Sequence, residues 1–563
     1  MEHPVPATRD LAAAPSPREA RELALLLALV LGALGWLADK AFTIDDPLFL
    51  WIAEQILTDP LDPYGFSVNW NASLLPMHAV NQNPPLTGYF IATVAAVAGF
   101  DETALHLAFL VPAGLATAFT WLLARRFCAR PLEAGAISLL TPASLVSASN
   151  VMCESWLLAF WCASAACWVA GFDRARFAWH AAAGLLAALA FLTKFSGAAL
   201  VPLLFAYGLL REHRLGAWCL PLVLPVAAAL AYELATASRY GIGHVSETLA
   251  FARWFGVSDQ GVRPAQVLTG LAFAGGSLVP VISYAPLLWS RRTLAVGALA
   301  AACLVAGWPA VGAAIGAPFA GDAAPRHLAA QLLVFALAGA GVVALAVSDA
   351  VARRDADAAL LALWLVGTLV FATFFNWVAN ARSLLPAAPV VGILIVRRLA
   401  VRPAPAGVAR GWRALAPALA IGVALLVADA DRRWANDVRR SADLLAREAG
   451  TVGETFFLGN WGLQYYLERG GALAVSRDRF PQAGDRLIVA TNNTDVREPP
   501  PGRVRRVAEI SGREPGLLRS MSRGVAGFYA SPYGPLPWAV AAGSPDRYRV
   551  FELARPVRFP PSW

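Results

Sequence analysis

The sequence predicts an α-helical polytopic membrane protein, with about thirteen transmembrane helices and a small C-terminal α/β domain. Three observations predict it. Of the 563 residues 58% are hydrophobic and only 15% charged, where soluble domains carry about a quarter charged residues. Apolar runs close to the roughly 20 residues that span a bilayer recur from Glu22 to Ala430. After Asp431 the chain turns polar, with an amphipathic helical pattern and then alternating, strand-like runs.

The runs lie near 22–39, 104–124, 133–150, 152–171, 177–193, 195–210, 216–236, 265–289, 293–313, 328–348, 358–376, 382–400 and 413–430. A further apolar stretch, Leu86–Phe100, is short, follows Pro84-Pro85 and contains Gly88 and Gly99. Charge decides its place. With 86–100 lying at the interface, Arg125/Arg126/Arg130, Arg174/Arg176, Arg211/Arg214, Arg291/Arg292, Arg353/Arg354 and Arg397/Arg398/Arg402/Arg410/Arg413 all fall on one side. By the positive-inside rule that side is the cytoplasm. The 42–100, 237–264 and 314–327 loops, the Asn376–Ala381 turn and the tail then face outward. Residues 1–21 form a cytoplasmic N-terminal segment, 22–430 the membrane domain and 431–563 an extracytoplasmic α/β domain. Within the tail, TFFLG, DRLIVATN and YRVFELARPV read as strands, GNWGLQYYLERGG as a strand-loop-helix element, and the Pro/Gly-rich stretch after Glu498 as loops.

Composition also excludes. The net charge of +8 is accounted for by basic cytoplasmic loops, so no nucleic-acid partner is implied. The six cysteines lie in or beside apolar runs without CxxC spacing and read as small buried residues. No small-x-small cleavage site follows the first run, which predicts an uncleaved first helix. Phosphate-loop, GxSxG, HExxH and GxGxxG patterns are missing from helpful contexts. Among 46 basic residues only Lys40 and Lys194 are lysines, which singles both out.

The first outward loop carries the sharpest signal. It opens with Asp45 and Asp46 just where a membrane helix ends, and carboxylates near lipid are costly and usually functional. Asp46-Pro47 ahead of LFLWIAEQIL is a good helix start, with Asp46 as N-cap. One helix needs one cap, so Asp45 remains to be explained. At the same depth lie Glu154, opening a helix, Lys194, at the tip of a helical hairpin, and Arg382, beginning another helix. Arg239, His244, Arg253 and Arg263 lie in the 237–264 loop. Singly, Glu154 is also explained by a helix dipole and the cations by snorkelling. Convergence of both signs on one outer cavity fits a site that binds an anionic, lipid-borne group and activates a nucleophile.

In this order the residues resemble the GT-C membrane glycosyltransferases. The acidic pair Asp45-Asp46 resembles their Asp-Asp or Asp-Glu signature. NPPLTGYF (83–90) resembles K-P-P-L-x-x-Y, and Glu102 to Pro112 resembles E-x-A-L-R-L-P. TPASLVSASNVMCESWLLAF resembles an acidic third-loop motif, FLTKFSGAAL an L-T-K-G segment and ARSLLPAAP the pattern R-Y-L-L-P-x-x-P. The match runs over about residues 20–430 and is similar to the protein O-mannosyltransferase, aminoarabinose (lipid A) transferase and RgtA/B/C/D-like families. Asn83 stands where the motif has lysine, and Asp46 where it can have glutamate.

The resemblance implies a glycosyltransferase moving a sugar from a polyprenyl-phosphate donor to a lipid-linked glycan, lipid A core or protein acceptor. The site would face the periplasmic side of a bacterial inner membrane. Asp45, with Asp46 and Glu154, would carry catalysis by inversion, Asp45 as base. Lys194, Arg382, Arg253 and Arg263 would bind the donor phosphate. Asn83, Pro84, Pro85 and Tyr89 would belong to the substrate loop, where Trp51, Tyr64, Trp70 and Tyr89 stack on sugar or form an interfacial belt. The resemblance fixes no cofactor, and a divalent metal is left open. A lipid or sugar transporter or flippase without transferase activity is the alternative, though it would favour broken helices and repeat symmetry.

Overall fold

The computed structural model describes residues 15–255, 262–320, 325–401, 408–448, 453–494, 496–513, 516–542 and 546–559. The chain is a multi-span membrane protein with a strand-containing C-terminal domain. Each of the apolar runs is largely helical, but they are not thirteen unbroken rods. Among the described residues nine helices are long and apolar enough to cross a bilayer, ten if Arg291–Ala306 and Trp308–Ala314, bent by 84°, make one span.

Proline accounts for much of the difference. The 133–150 run divides into Pro131–Leu139 and Pro142–Ala148, because Pro142 lacks the N–H that would continue the ladder and takes the first turn of the second helix. The Thr141 hydroxyl caps that turn, accepting from the Ser144 N–H. The 265–289 run breaks likewise, into Pro264–Ser277, Pro280–Ser283 and Ala285–Leu288. Phe177–Thr193 keeps its expected bounds but has only 17 residues.

Close backbone contact binds part of the bundle. A Cβ on Gly275 would lie 2.0 Å from the Phe335 carbonyl oxygen, and one on Gly339 2.1 Å from that of Leu271. The helices Pro264–Ser277 and Arg326–Arg353 therefore touch through small residues, as membrane helices do in the absence of a hydrophobic driving force. On Val223–Tyr240 the side chains of Val223, Leu230 and Leu234 are about three-fifths exposed. Such a face needs a bilayer to cover it.

The two ends of the bundle differ. Arg126 pairs with Asp173 (2.7 Å) and Asp357 (2.9 Å), and Arg397 with Asp349 (2.7 Å). These come from the arginine clusters assigned to one side, and they gather in space. Asp173 and Glu154 occupy opposite ends of the helix Glu154–Arg174, about 30 Å apart at 1.5 Å per residue. The polar residues of the first loop belong to the Glu154 end.

That loop is built from the helix Asp46–Thr58, a hairpin of Ser67–Trp70 with Ser73–Pro76, and the helix Leu86–Ala98. The hairpin turns on Asn71 and Ala72, with φ of 53° and 57°, the paired positive angles that match strand twist in a two-residue turn.

Past the last span the structure departs from expectation. Where a membrane helix and a separate amphipathic helix were expected to meet at Asp431, one helix runs from Val408 to Glu448, 41 residues or about 60 Å. No glycine or proline occurs between Val423 and Glu448 to stop it. A five-stranded sheet follows in the order Leu473–Ala474, Thr455–Leu458, Arg486–Ala490, Arg547–Leu553, Val504–Ser511. Its first three strands are parallel and its last two antiparallel. Val504–Ser511 lies where loops were expected. It is an edge strand with mostly exposed residues, so no buried stripe announces it.

The domain docks on the start of the first loop. A Cβ on Gly462 would lie 2.3 Å from the Phe42 carbonyl oxygen, so the helix Trp461–Arg469 lies directly on that backbone. The Phe42 N–H donates to the Tyr466 hydroxyl (2.8 Å) and the Ala41 N–H to Asn436 Oδ1 (2.7 Å).

Candidate active site

The first loop enters the site through a tight turn. Thr43 N–H donates to Asp46 Oδ2 (2.8 Å), while Asp46 N–H donates to the Thr43 carbonyl (3.0 Å). The turn so closed holds Ile44 at φ 50°, a left-handed angle that is strained for a β-branched residue. The other Asp46 oxygen accepts from the Val151 N–H (2.8 Å). Asp46 is fully buried, and burial pushes its carboxyl up to about 7, against the pull of Lys40 and the two N–H donors.

This corrects the expected N-cap role of Asp46. Asp45 holds the cap position, its side chain makes no capping bond, and Asp46 is the first helical residue. Asp46 acts as a buckle between the 43–46 turn and the 150–152 segment. Asp45 is left free to point elsewhere.

It meets Arg382, whose Nη1 donates to Asp45 Oδ2 at 3.0 Å. The same nitrogen lies 3.8 Å from Glu154 Oε1, which accepts from Lys194 Nζ at 2.8 Å. Four side chains from four regions of the sequence thus form one alternating chain: Asp45, Arg382, Glu154, Lys194. Glu154 is nearly sealed, with 3% of its side chain exposed, whereas Asp45 keeps 29% and Lys194 21%. Lys194 sits in extended backbone between Phe177–Thr193 and the 3-10 turn Phe195–Ala199, the expected hairpin tip. Both cations turn inward onto carboxylates, which snorkelling alone does not explain.

Lys194 and Arg382 also form the polar end of a narrow cleft. Its other walls are mostly apolar, among them Leu157, Trp161, Leu363 and Trp364, with the hydroxyls of Ser196, Thr368 and Ser383 between them. Charge at one end and hydrocarbon along the rest suit an amphiphile with an anionic head.

Other expected site residues lie apart from this chain. The Tyr64 hydroxyl donates to the Asn83 carbonyl, Tyr89 donates to the Pro60 carbonyl (2.6 Å), and Pro85 precedes the helix Leu86–Ala98. With Pro84 they fold the first loop upon itself, and none of their described hydrogen bonds reaches the four-residue chain. Arg263 is exposed just before Pro264–Ser277. The Arg253 side chain lies outside the described residues. Among the described residues no three of His, Cys, Asp or Glu gather as a metal-binding group. The carboxylates of the site are each engaged by a cation or by backbone N–H groups.

A second buried network adjoins the first. Lys40 Nζ donates to Asp431 Oδ2 (2.6 Å) and to Asn150 Oδ1, and the Tyr529 hydroxyl donates to Asp431 Oδ2 (2.7 Å). Lys40 was legible as a rare lysine. Tyr529 lies in a stretch with no periodicity or motif to mark it.

Residues 82–236 match the family model described as dolichyl-phosphate-mannose-protein mannosyltransferase. Among solved structures, the chain is similar to ArnT from Cupriavidus metallidurans bound to undecaprenyl phosphate, at 15% identity and TM-score 0.43, covering 85% of this chain and 94% of that one. It is similar to the archaeal oligosaccharyltransferase AglB from Archaeoglobus fulgidus in complex with an inhibitory peptide and a dolichol-phosphate, at 12% identity and TM-score 0.46, covering 81% and 64%. Similarity to the arabinofuranosyltransferase AftD from Mycobacteria stands at 13% identity and TM-score 0.41, covering 96% and 40%. No curated protein matches the sequence. Over residues 82–236, which include NPPLTGYF, Glu154 and Lys194, the chain resembles the GT-C membrane glycosyltransferases described as dolichyl-phosphate-mannose-protein mannosyltransferases, as its motifs led us to expect.

Proposed function

We propose that the chain transfers a sugar from a polyprenyl-phosphate donor to a lipid-linked glycan, a lipid A core or a protein, at the extracytoplasmic face of a bacterial inner membrane. The observation that carries this reading is the Asp45–Arg382–Glu154–Lys194 chain at the polar end of an apolar cleft. The polyprenyl tail lies along the apolar walls, and the phosphate competes with Glu154 and Asp45 for Lys194 and Arg382. Charge-assisted contacts of this kind are strong where water is scarce.

As the phosphate takes over Arg382, Asp45 is released to accept a proton. The acceptor hydroxyl, or an amine in its place, attacks the anomeric carbon and loses its proton to Asp45. A new bond from the acceptor to that carbon forms as the bond to the phosphate oxygen breaks, with inversion. Lys194 and Arg382 stabilise the charge that develops on the departing polyprenyl phosphate. Glu154 holds the two cations in register, and no step is routed through a metal.

Mass spectrometry of lipid extracts and envelope glycans from wild-type and deletion strains tests the proposal. The deletion strain is expected to accumulate a polyprenyl-phosphate sugar, while one glycan, lipid or protein loses the mass of that sugar. Unchanged glycans with a lipid redistributed across the membrane would favour transport instead.

A further inference from the structure

The segment around Tyr529 belongs to the C-terminal domain by sequence and to the candidate active site by position. Ala381 N–H donates to the Phe528 carbonyl (2.9 Å) and Ser531 N–H to the Ala379 carbonyl (2.9 Å). These two bonds strap residues 528–531 to the backbone that leads into Arg382. Between them Tyr529, 2% exposed, puts its ring 5.3 Å from the centre of the Arg382 guanidinium. Its hydroxyl faces the other way, donating to Asp431 Oδ2 (2.7 Å) and accepting from Asn150 Nδ2 (3.0 Å). Asn150 precedes Val151, whose N–H holds Asp46.

We infer that Tyr529 is a positioning residue for the donor phosphate, its ring fixing the Arg382 guanidinium at the polar end of the cleft. The inference rests on the polyprenyl-phosphate reading above and adds that the C-terminal domain completes the phosphate site. The physical argument concerns what happens when Asp45 lets go. In the structure Arg382 Nη1 is tied to Asp45 at 3.0 Å, to the weakly accepting Met152 Sδ at 3.0 Å and, more loosely, to Glu154 at 3.8 Å. A phosphate that displaces Asp45 removes the one close charge-assisted tie, and a long side chain with that anchor lost regains rotamer freedom. The tyrosine face attracts the cation through its ring quadrupole without consuming a hydrogen-bond donor. It therefore orients the guanidinium in both states and leaves its N–H groups for phosphate.

Ring and hydroxyl serve different partners, so their contributions separate. Full-length protein in nanodiscs is titrated with undecaprenyl phosphate as the probe, and thermal unfolding is measured in parallel. Tyr529→Leu removes ring and hydroxyl, and its affinity is expected to fall by roughly tenfold, the scale of a desolvated cation–π contact. Tyr529→Phe keeps the ring, so it should unfold at lower temperature yet bind within about threefold of wild type. Tyr529→Gln presents a polar tip to Asp431 but no ring, and should bind as weakly as the Leu variant. It supplies the reading if the Leu variant does not fold. Near-wild-type affinity in a folded Leu or Gln variant overturns the inference while the donor reading stands. Equal losses in Phe and Gln also overturn it, since the hydroxyl network alone would then explain them. If wild type shows no saturable binding, the donor reading falls and the inference falls with it.

Discussion

Asp45 and Asp46 are adjacent, yet a single peptide bond separates a carboxylate facing a cation from one facing backbone. Both Asp46 oxygens accept N–H groups, from Thr43 and Val151. Asp46→Asn would turn an amide NH₂ toward one of these donors. A buried donor left unpaired costs about 1–3 kcal/mol, so this substitution should lower the unfolding temperature by several degrees, although a simple N-cap would have tolerated it. The pH dependence has a definite sign. Burial raises the Asp46 carboxyl from 3.8 to about 7, so the folded state holds the proton more tightly than the unfolded chain. The resulting stabilisation is full below about pH 4 and is lost as pH rises through about 7. Melting curves across that window should slope downward from this group in wild type and flatten in Asp46→Asn. Lys194→Gln, which removes one cation from the cleft, should weaken undecaprenyl phosphate binding by about tenfold or more in the same titration used for Tyr529. Unchanged affinity would remove Lys194 from the phosphate site.

At the scale of elements, the contact between the helix Trp461–Arg469 and the first loop is the most exacting. Gly462 admits the Phe42 carbonyl where a Cβ would stand 2.3 Å away. Gly462→Ala must therefore push the 41–46 turn off its seat, with Asp45 at its end. We expect a lower unfolding temperature together with lost turnover, and a wild-type profile in both would show that the contact is loose. Elements of this kind differ in how much the sequence reveals. Apolar runs mark the helices because a bilayer needs about 20 such residues wherever it is crossed. Breaks at Pro142 and Pro280 depend on whether a kinked helix or a new one packs better, which a linear pattern does not record. The edge strand Val504–Ser511 is hidden because its residues are mostly exposed and no buried stripe marks it. The 41-residue helix is hidden differently: its change from apolar to polar marks where the surroundings change, while the backbone continues.

For the whole molecule, the candidate site is assembled from long-range partners. Asp45, Glu154, Lys194 and Arg382 were legible because each is a charge set against an apolar background, where burial must be compensated. Their pairing into an alternating chain was not legible, since it depends on how the helices pack. The motif NPPLTGYF was conspicuous, yet Asn83 and Tyr89 bond within their own loop. Tyr529 lay in an unpatterned segment and enters through backbone bonds to Ala379 and Ala381. The central claim is that Asp45 is the base and that Lys194 and Arg382 hold the phosphate. The direct test is sugar transfer from polyprenyl phosphate in proteoliposomes, comparing wild type with Asp45→Asn, with undecaprenyl phosphate binding measured on both. The account predicts that turnover falls by roughly 100-fold or more, the range for a lost general base, while the unfolding temperature stays close to wild type and binding is kept or tightened, because the phosphate no longer competes with a carboxylate for Arg382. Full turnover in a folded Asp45→Asn protein would contradict it.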